Sequence, residues 1–138
     1  MSDSNEQQPN IFPALRYRDT AAALEWLHEA FGFEKSYTTP GPGRTISHAE
    51  MRLGAGVVML GSAPAGSDFE TPDDVRAASQ SVYVAVNDVD AHYGRARSTG
   101  AEITRALSDT EYGSREYSAR DLEGQHWSFG SYRPSAAA

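Results

Sequence analysis

"RDTAAALEWLHEAFGFE", residues 18–34, and "NDVDAHYGRARSTGAE", residues 87–102, decide the fold between them. Each reads as an amphipathic helix. In the first, Ala23, Leu24, Leu27, Ala30 and Phe31 recur at the helical period. Asp19 or Thr20 supplies the N-cap, and Gly32 ends the helix. In the second, Asp88 caps, Val89, Tyr93 and Ala96 form the apolar stripe, and Gly100 stops it. The same design written twice, Asp19 to Asp88 and 69 positions apart, points to an internal duplication.

Working outward, each helix is flanked by strands. "PALRYR" and "SVYVAV" precede the helices, and "FEKSYTT" and "AEITRAL" follow them. A hairpin then closes each half. In the first half it is "RTISHAEMRL" and "VVMLGS" around Gly54-Ala55-Gly56. In the second it is "SREYSAR" and "QHWSFGS" around Asp121 to Gly124. Arg52 and Arg120, and Gly56 and Gly124, are 68 positions apart. The expected fold is α+β, two tandem βαβββ modules forming a curved sheet around a cavity. The first module spans 11–62 and the second 80–132. Residues 1–10 read as a disordered N-terminus and 133–138 as a tail. Residues 63–79, rich in Pro, Gly, Ser and Asp, read as a linker that borders a site as a lid.

Composition narrows the function. The chain has 138 residues, a net charge of −7 and no cysteine. The acidic balance argues against nucleic-acid or anionic-membrane partners. The absence of cysteine removes disulfides, zinc-thiolate sites and thiol nucleophiles. No apolar run reaches the ~18 residues that span a bilayer, and "MSDSNEQQPN" lacks the regions of a signal peptide. A cytoplasmic protein is expected. No Ser-His-Asp spacing, nucleophile elbow or phosphate-binding glycine loop is present.

"LRYRDTAAALEWLHEAFGFE", "SVYVAVNDVDAHYGRARSTGAEI" and "ARDLEGQHWSFGSY", in that order, carry a resemblance. The chain resembles the vicinal oxygen chelate superfamily over roughly residues 12–132. That superfamily includes glyoxalase I, bleomycin-resistance proteins and extradiol dioxygenases. His48-Ala49-Glu50-Met51 and Gly124-Gln125-His126-Trp127 are similar to segments of the PhnB-like or bleomycin-resistance-like subgroup. The resemblance implies metal ligands in four places: a His opening the first strand, a Glu in the fourth, a His opening the fifth and a Glu in the eighth. Counting from the caps and from Gly124 puts Phe12, Ser81 and Ser128 at three of them. The 68-residue offset puts Leu60 at the fourth. None offers an imidazole or carboxylate. The neighbours Pro13, Met59, Gln80, Val82, Trp127 and Phe129 add only the weak donor Gln80.

A rearranged site is the open alternative. His48 and Glu50 share a strand face by the period of two, and with His126 they would make a His-Glu-His cluster for a lyase, isomerase or dioxygenase. His28 and His92 read as surface residues on the two helices. On the seventh strand Arg115 and Tyr117 share one face, and Glu116, Ser118 and Arg120 the other, where an acid–base pair could meet a ligand. Trp127 and Phe129 face the helix layer. Tyr112 and Phe69 are placed to cover a flat ligand at the cavity mouth. The expectation is therefore a metal-free small-molecule binding protein of the bleomycin-resistance type, without cofactor. It would sequester a toxic or antibiotic compound in an inter-module cavity. The resemblance also implies a homodimer. The expected lining is Phe12, His48, Glu50, Leu60, Ser81, Tyr83, His126 and Ser128.

Overall fold

The computed structural model of the chain describes residues 9–43, 45–62 and 80–134. Two compact units divide it. The first holds residues 9–28 and 32–62 of the described chain, and the second holds 29–31 and 80–134. The proposed linker, Phe69 within it, most of the N-terminal segment and residues 135–138 lie outside the described residues.

The first unit contains β1 (Ala14–Arg16), α1 (Thr20–Phe31) except for its last three residues, which belong to the second, β2 (Glu34–Pro40), β3 (Ile46–Leu53) and β4 (Gly56–Gly61). The second contains β5 (Val82–Ala85), α2 (Val89–Thr99), β6 (Glu102–Asp109), β7 (Arg115–Arg120) and β8 (His126–Gly130). The sheets have one topology, β1-β4-β3-β2 and β5-β8-β7-β6. In each, the first strand joins the last in parallel and the other pairs are antiparallel. Two four-stranded sheets and two helices make the mixed α+β fold that the repeat predicted.

Local chemistry explains why the helices begin and end where they do. Asp19 accepts from Ala22 N at 3.0 Å, and Asp88 repeats the cap with Ala91 N at 3.0 Å. Gly32 and Gly100 close the helices at φ 81° and 95°, a conformation that costs a side chain but not glycine. The apolar stripe of α1 is buried at Ala23, Leu24, Leu27, Ala30 and Phe31, and that of α2 at Val89 and Ala96. No helix among the described residues is long and apolar enough to cross a membrane.

The second unit packs α2 on the β7–β8 face that carries Tyr117 and Phe129. The His92 ring lies 4.3 Å from Phe129 and the Tyr93 ring 5.0 Å from Tyr117. Phe31, from the last turn of α1, joins this core 4.7 Å from Phe129 and 5.6 Å from Trp127. Trp127 and Phe129 thus turn toward the helix layer as expected. Each such side chain contributes about 1.5–3 kcal/mol by leaving water.

His92 corrects the sequence reading. It is not a surface residue but a bonded part of this core. Its Nε2 donates to the Phe31 carbonyl at 2.7 Å, since a carbonyl only accepts. Nδ1 of the neutral ring then accepts from the Tyr117 hydroxyl at 2.6 Å. Arg95 donates to the Glu29 carbonyl at 2.9 Å, so α2 side chains satisfy two carbonyls that the end of α1 leaves without helical partners. Burial, the largest cause, lowers the His92 pKa, with nearby Arg95 acting in the same direction and the bond to Phe31 opposing it. The folded value lies below the unfolded value of about 6.5. The unfolded chain then binds the proton more readily, so this contribution is complete above pH ~6.5 and is lost as pH falls toward the depressed folded value. Thermal melts across that window are expected to show a falling midpoint. His92→Gln, which does not titrate, is expected to flatten that dependence at a cost of about 1–3 kcal/mol. An unchanged pH profile in the variant would contradict this role.

Candidate functional site

Register assigns each side chain to a face. In the second sheet, Tyr83 pairs with Ser128, Ser128 with Ser118, Glu116 with Gly130 and Arg120 with His126. These residues form one polar face, opposite the apolar face of Tyr117, Ala119, Trp127 and Phe129. Ser118 and Ser128 bond to each other at 2.8 Å. His126 meets Thr104 Oγ1 at 3.2 Å, and Arg120 reaches Glu102 at 3.1 Å. Glu116 and Arg120, the acid and base that could meet a ligand, are each already paired. Each residue has its own partner on β6.

Glu116 is the buried charge of this face, 5% exposed. Its Oε1 accepts from the Tyr112 hydroxyl at 2.9 Å and from Arg105 at 3.5 Å. Gly130 lies opposite in register. A Cβ there would stand 2.6 Å from Glu116 Cγ and 2.7 Å from the Tyr83 hydroxyl, so the missing side chain is what seats both groups. The Tyr83 hydroxyl donates to the Tyr132 carbonyl at 2.7 Å. Desolvation, chiefly, pushes the Tyr83 hydroxyl up from its ordinary value, and the Glu116 charge adds to this. The bond to Glu116 is the main reason that the Tyr112 pKa is also raised. Both phenols stay protonated donors at neutral pH.

The first sheet repeats the arrangement with other residues. Tyr37 pairs with Glu50, Glu50 with Met59, Thr39 with His48 and Ala14 with Met59. His48 Nε2 and Glu50 Oε2 are 2.9 Å apart, both more than a third exposed. Tyr37 stands beside His48, ring centroids 6.3 Å apart. Phe12, 40% exposed, precedes β1, and the exposed Ser81 precedes β5.

Leu60 must be corrected. It pairs with Ala49 and is fully buried with Ala49, Met51 and Val58 on the apolar face. Met59 takes the polar-face position. The cause is one residue of hairpin. Four residues separate the pair Arg52–Val57, and five separate Arg120–His126. The offset is therefore 68 before the turn and 69 after it, and one residue of slip exchanges the faces of a strand.

The family model described as "Glyoxalase/Bleomycin resistance protein/Dioxygenase superfamily" matches residues 12–129, both βαβββ units in order. The chain belongs to this superfamily. An uncharacterized protein of Mycobacterium tuberculosis is 32% identical over 126 residues, 89% of this chain and 74% of its own. TioX from Micromonospora sp. ML1 has a solved structure 34% identical to this chain, with a TM-score of 0.73 over 88% of this chain and 97% of that one. The PhnB protein from Bacillus cereus, 17% identical with a TM-score of 0.63 over 88% of this chain and 98% of its own, shares the fold.

Among glyoxalase-superfamily chains, metal chemistry needs imidazole or carboxylate donors at the four ligand positions. The resemblance implies Phe12, Ser81 and Ser128 at three of those positions, and the observed register puts Met59 on the polar face in place of Leu60. A thioether, a phenyl ring and two neutral hydroxyls do not fit a divalent transition metal. Ser128 is moreover bonded to Ser118. No group of three His, Cys, Asp or Glu side chains that could hold a metal forms among the described residues. His48 and Glu50 bond to each other, while His126 bonds to Thr104. Sequence reasoning weighed Glu116 only as part of an acid–base pair, named Met59 only as a neighbour of Leu60, and passed over Arg105 and Tyr132. The glycine at 130, at the end of β8 and opposite a glutamate, was the signal that could have singled out Glu116.

Proposed function

We propose that this superfamily member is a metal-free small-molecule binding protein of the bleomycin-resistance type. It holds an organic ligand against the polar faces of its sheets. What supports the reading is the set of residues at the positions that the resemblance implies for metal ligands: Phe12, Met59, Ser81 and Ser128. Apolar area from Phe12, Met59 and the exposed tyrosines supplies affinity, and a few fixed polar groups supply orientation. Phe12, His48, Glu50, Ser81, Tyr83, His126 and Ser128 are the proposed contacts, with Met59 replacing Leu60. The reading extends to a homodimer working in the cytoplasm, with a toxic or antibiotic compound as the sequestered ligand.

A thermal-shift screen of flat and amphipathic compounds, run with and without EDTA, tests it. The expected result is a set of stabilising compounds whose shifts do not change with chelator, followed by calorimetry at micromolar affinity or better, about −8 kcal/mol. Stabilisation that disappears with EDTA and returns with zinc or iron would refute the metal-free reading. Met59→Glu with Ser128→Glu is expected to leave the fold intact, since both positions are half-buried, but to weaken any apolar ligand on these faces by roughly tenfold or more, because two charges replace neutral contacts.

A further inference from the structure

We propose that the polar face of the second sheet carries a subsite for a protonated amine attached to a flat apolar group, with Glu116 as its counter-ion. This deepens the binding reading above and rests on it.

A carboxylate that is 5% exposed needs compensation for the water it has lost. Glu116 has little. One neutral hydroxyl, from Tyr112, reaches it at 2.9 Å, and Arg105 stands at 3.5 Å. Both contacts fall on Oε1. An ionised carboxylate has about four acceptor sites, so Oε2 retains capacity for a donor. Arg105 is a loose partner, its side chain 46% exposed. Arg115 and Arg120 are engaged elsewhere, with Asp90 and Asp109 and with Glu102.

Aromatic surface stands beside this charge. Tyr112 and Tyr132 are 66% and 52% exposed, with ring centroids 6.4 Å apart at 82°. Tyr112 joins the two features, since its hydroxyl bonds Glu116 and its ring is bare. Two edge-to-face rings present a flat wall and an adjoining electron-rich face, which suits an aromatic group and also a cation. Gly130 makes room for the Glu116 side chain and the Tyr83 hydroxyl, since a Cβ there would stand 2.6 Å from one and 2.7 Å from the other. The ligand's charge follows from Glu116. An anion would meet a buried carboxylate, a neutral hydroxyl would bring a donor without a charge, and an ammonium group brings both.

The test uses three matched probes at neutral pH and low salt: naphthylmethylamine, which is cationic, naphthylmethanol, which is neutral, and naphthoate, which is anionic. On the wild-type chain the cation is expected to bind on the order of 10- to 100-fold more tightly than the alcohol, the range of a charge-assisted hydrogen bond, with naphthoate weakest. Glu116→Gln is expected to erase that preference, with folding checked by its melting curve. Arg105→Gln removes the competing cation and is expected to tighten naphthylmethylamine several-fold. A wild-type chain that binds cation and alcohol equally would overturn the subsite while leaving the binding function standing, and needs no variant to show it. Persistence of the preference in folded Glu116→Gln would overturn it too. Binding of none of the three would count against the binding function itself.

Discussion

Asp121→Ala is expected to destabilise the chain by about 3–4 kcal/mol and lower its melting temperature by roughly 10–15 °C. Asp121 is 6% exposed and organises the β7–β8 turn from inside. Its Oδ1 accepts from Glu123 N and Gln125 N, both at 3.0 Å, and its Oδ2 accepts from the Trp127 indole at 3.0 Å. The first two bonds fix the turn that Gly124, at φ 91°, completes. The third ties that turn to the most voluminous of the fully buried side chains. Alanine removes the carboxylate that accepts from these three donors, one of them deep in the core. Asp121→Asn keeps the turn contacts and is expected to cost about 1–2 kcal/mol. A double-mutant cycle with Trp127→Phe isolates the indole bond, with an expected coupling of about 1–2 kcal/mol. Coupling near zero would show that the bond contributes nothing beyond the turn.

The two equivalent glycines, Gly61 and Gly130, are expected to respond differently to alanine. At Gly61 the new Cβ would stand 2.6 Å from the Ser47 carbonyl oxygen. That atom belongs to the neighbouring strand's backbone, so the sheet itself must shift, at a cost of about 2–3 kcal/mol. At Gly130 the Cβ meets the Glu116 and Tyr83 side chains, which can rotate aside. Gly130→Ala is expected to cost about 1 kcal/mol in stability yet to disable the Glu116 subsite. Denaturation of both variants beside naphthylmethylamine titration checks the contrast. Equal stability losses would contradict the backbone argument, and unimpaired amine binding by Gly130→Ala would contradict the seating of Glu116.

The fold was legible because its signals are local and repeated. Asp19 and Asp88 cap, Gly32 and Gly100 stop, and strand parity placed Trp127 and Phe129 correctly. Each predicted strand lies within two residues of its observed bounds. What escaped the sequence was set by register or by distant contacts. Leu60 and Met59 exchanged roles because one hairpin is a residue longer, which a constant repeat offset conceals. His92 sits on a weakly apolar helix and reads as a surface residue. Its burial comes from the Phe31 carbonyl, 61 residues away, and from the Tyr117 hydroxyl. Arg105 reaches Glu116 across a β6–β7 pairing with two register shifts, which strict alternation does not predict.

These residues also separate what the superfamily fold provides from what this chain adds. The duplicated sheets supply two polar faces. On them the chain places Met59 and Ser128, at positions that the resemblance implies for metal donors, and a buried glutamate with bare tyrosines beside it. The proposed chemistry is recognition of an organic molecule.

Elemental analysis of the protein purified without chelator tests this most directly, with gel filtration of the same sample to fix its oligomeric state. The account predicts no zinc, iron, nickel, copper or manganese near stoichiometry, in a protein that still binds its ligand. A transition metal approaching one per chain, retained through gel filtration and lost in Glu50→Gln, would contradict it and return His48, Glu50 and His126 to the role of ligands.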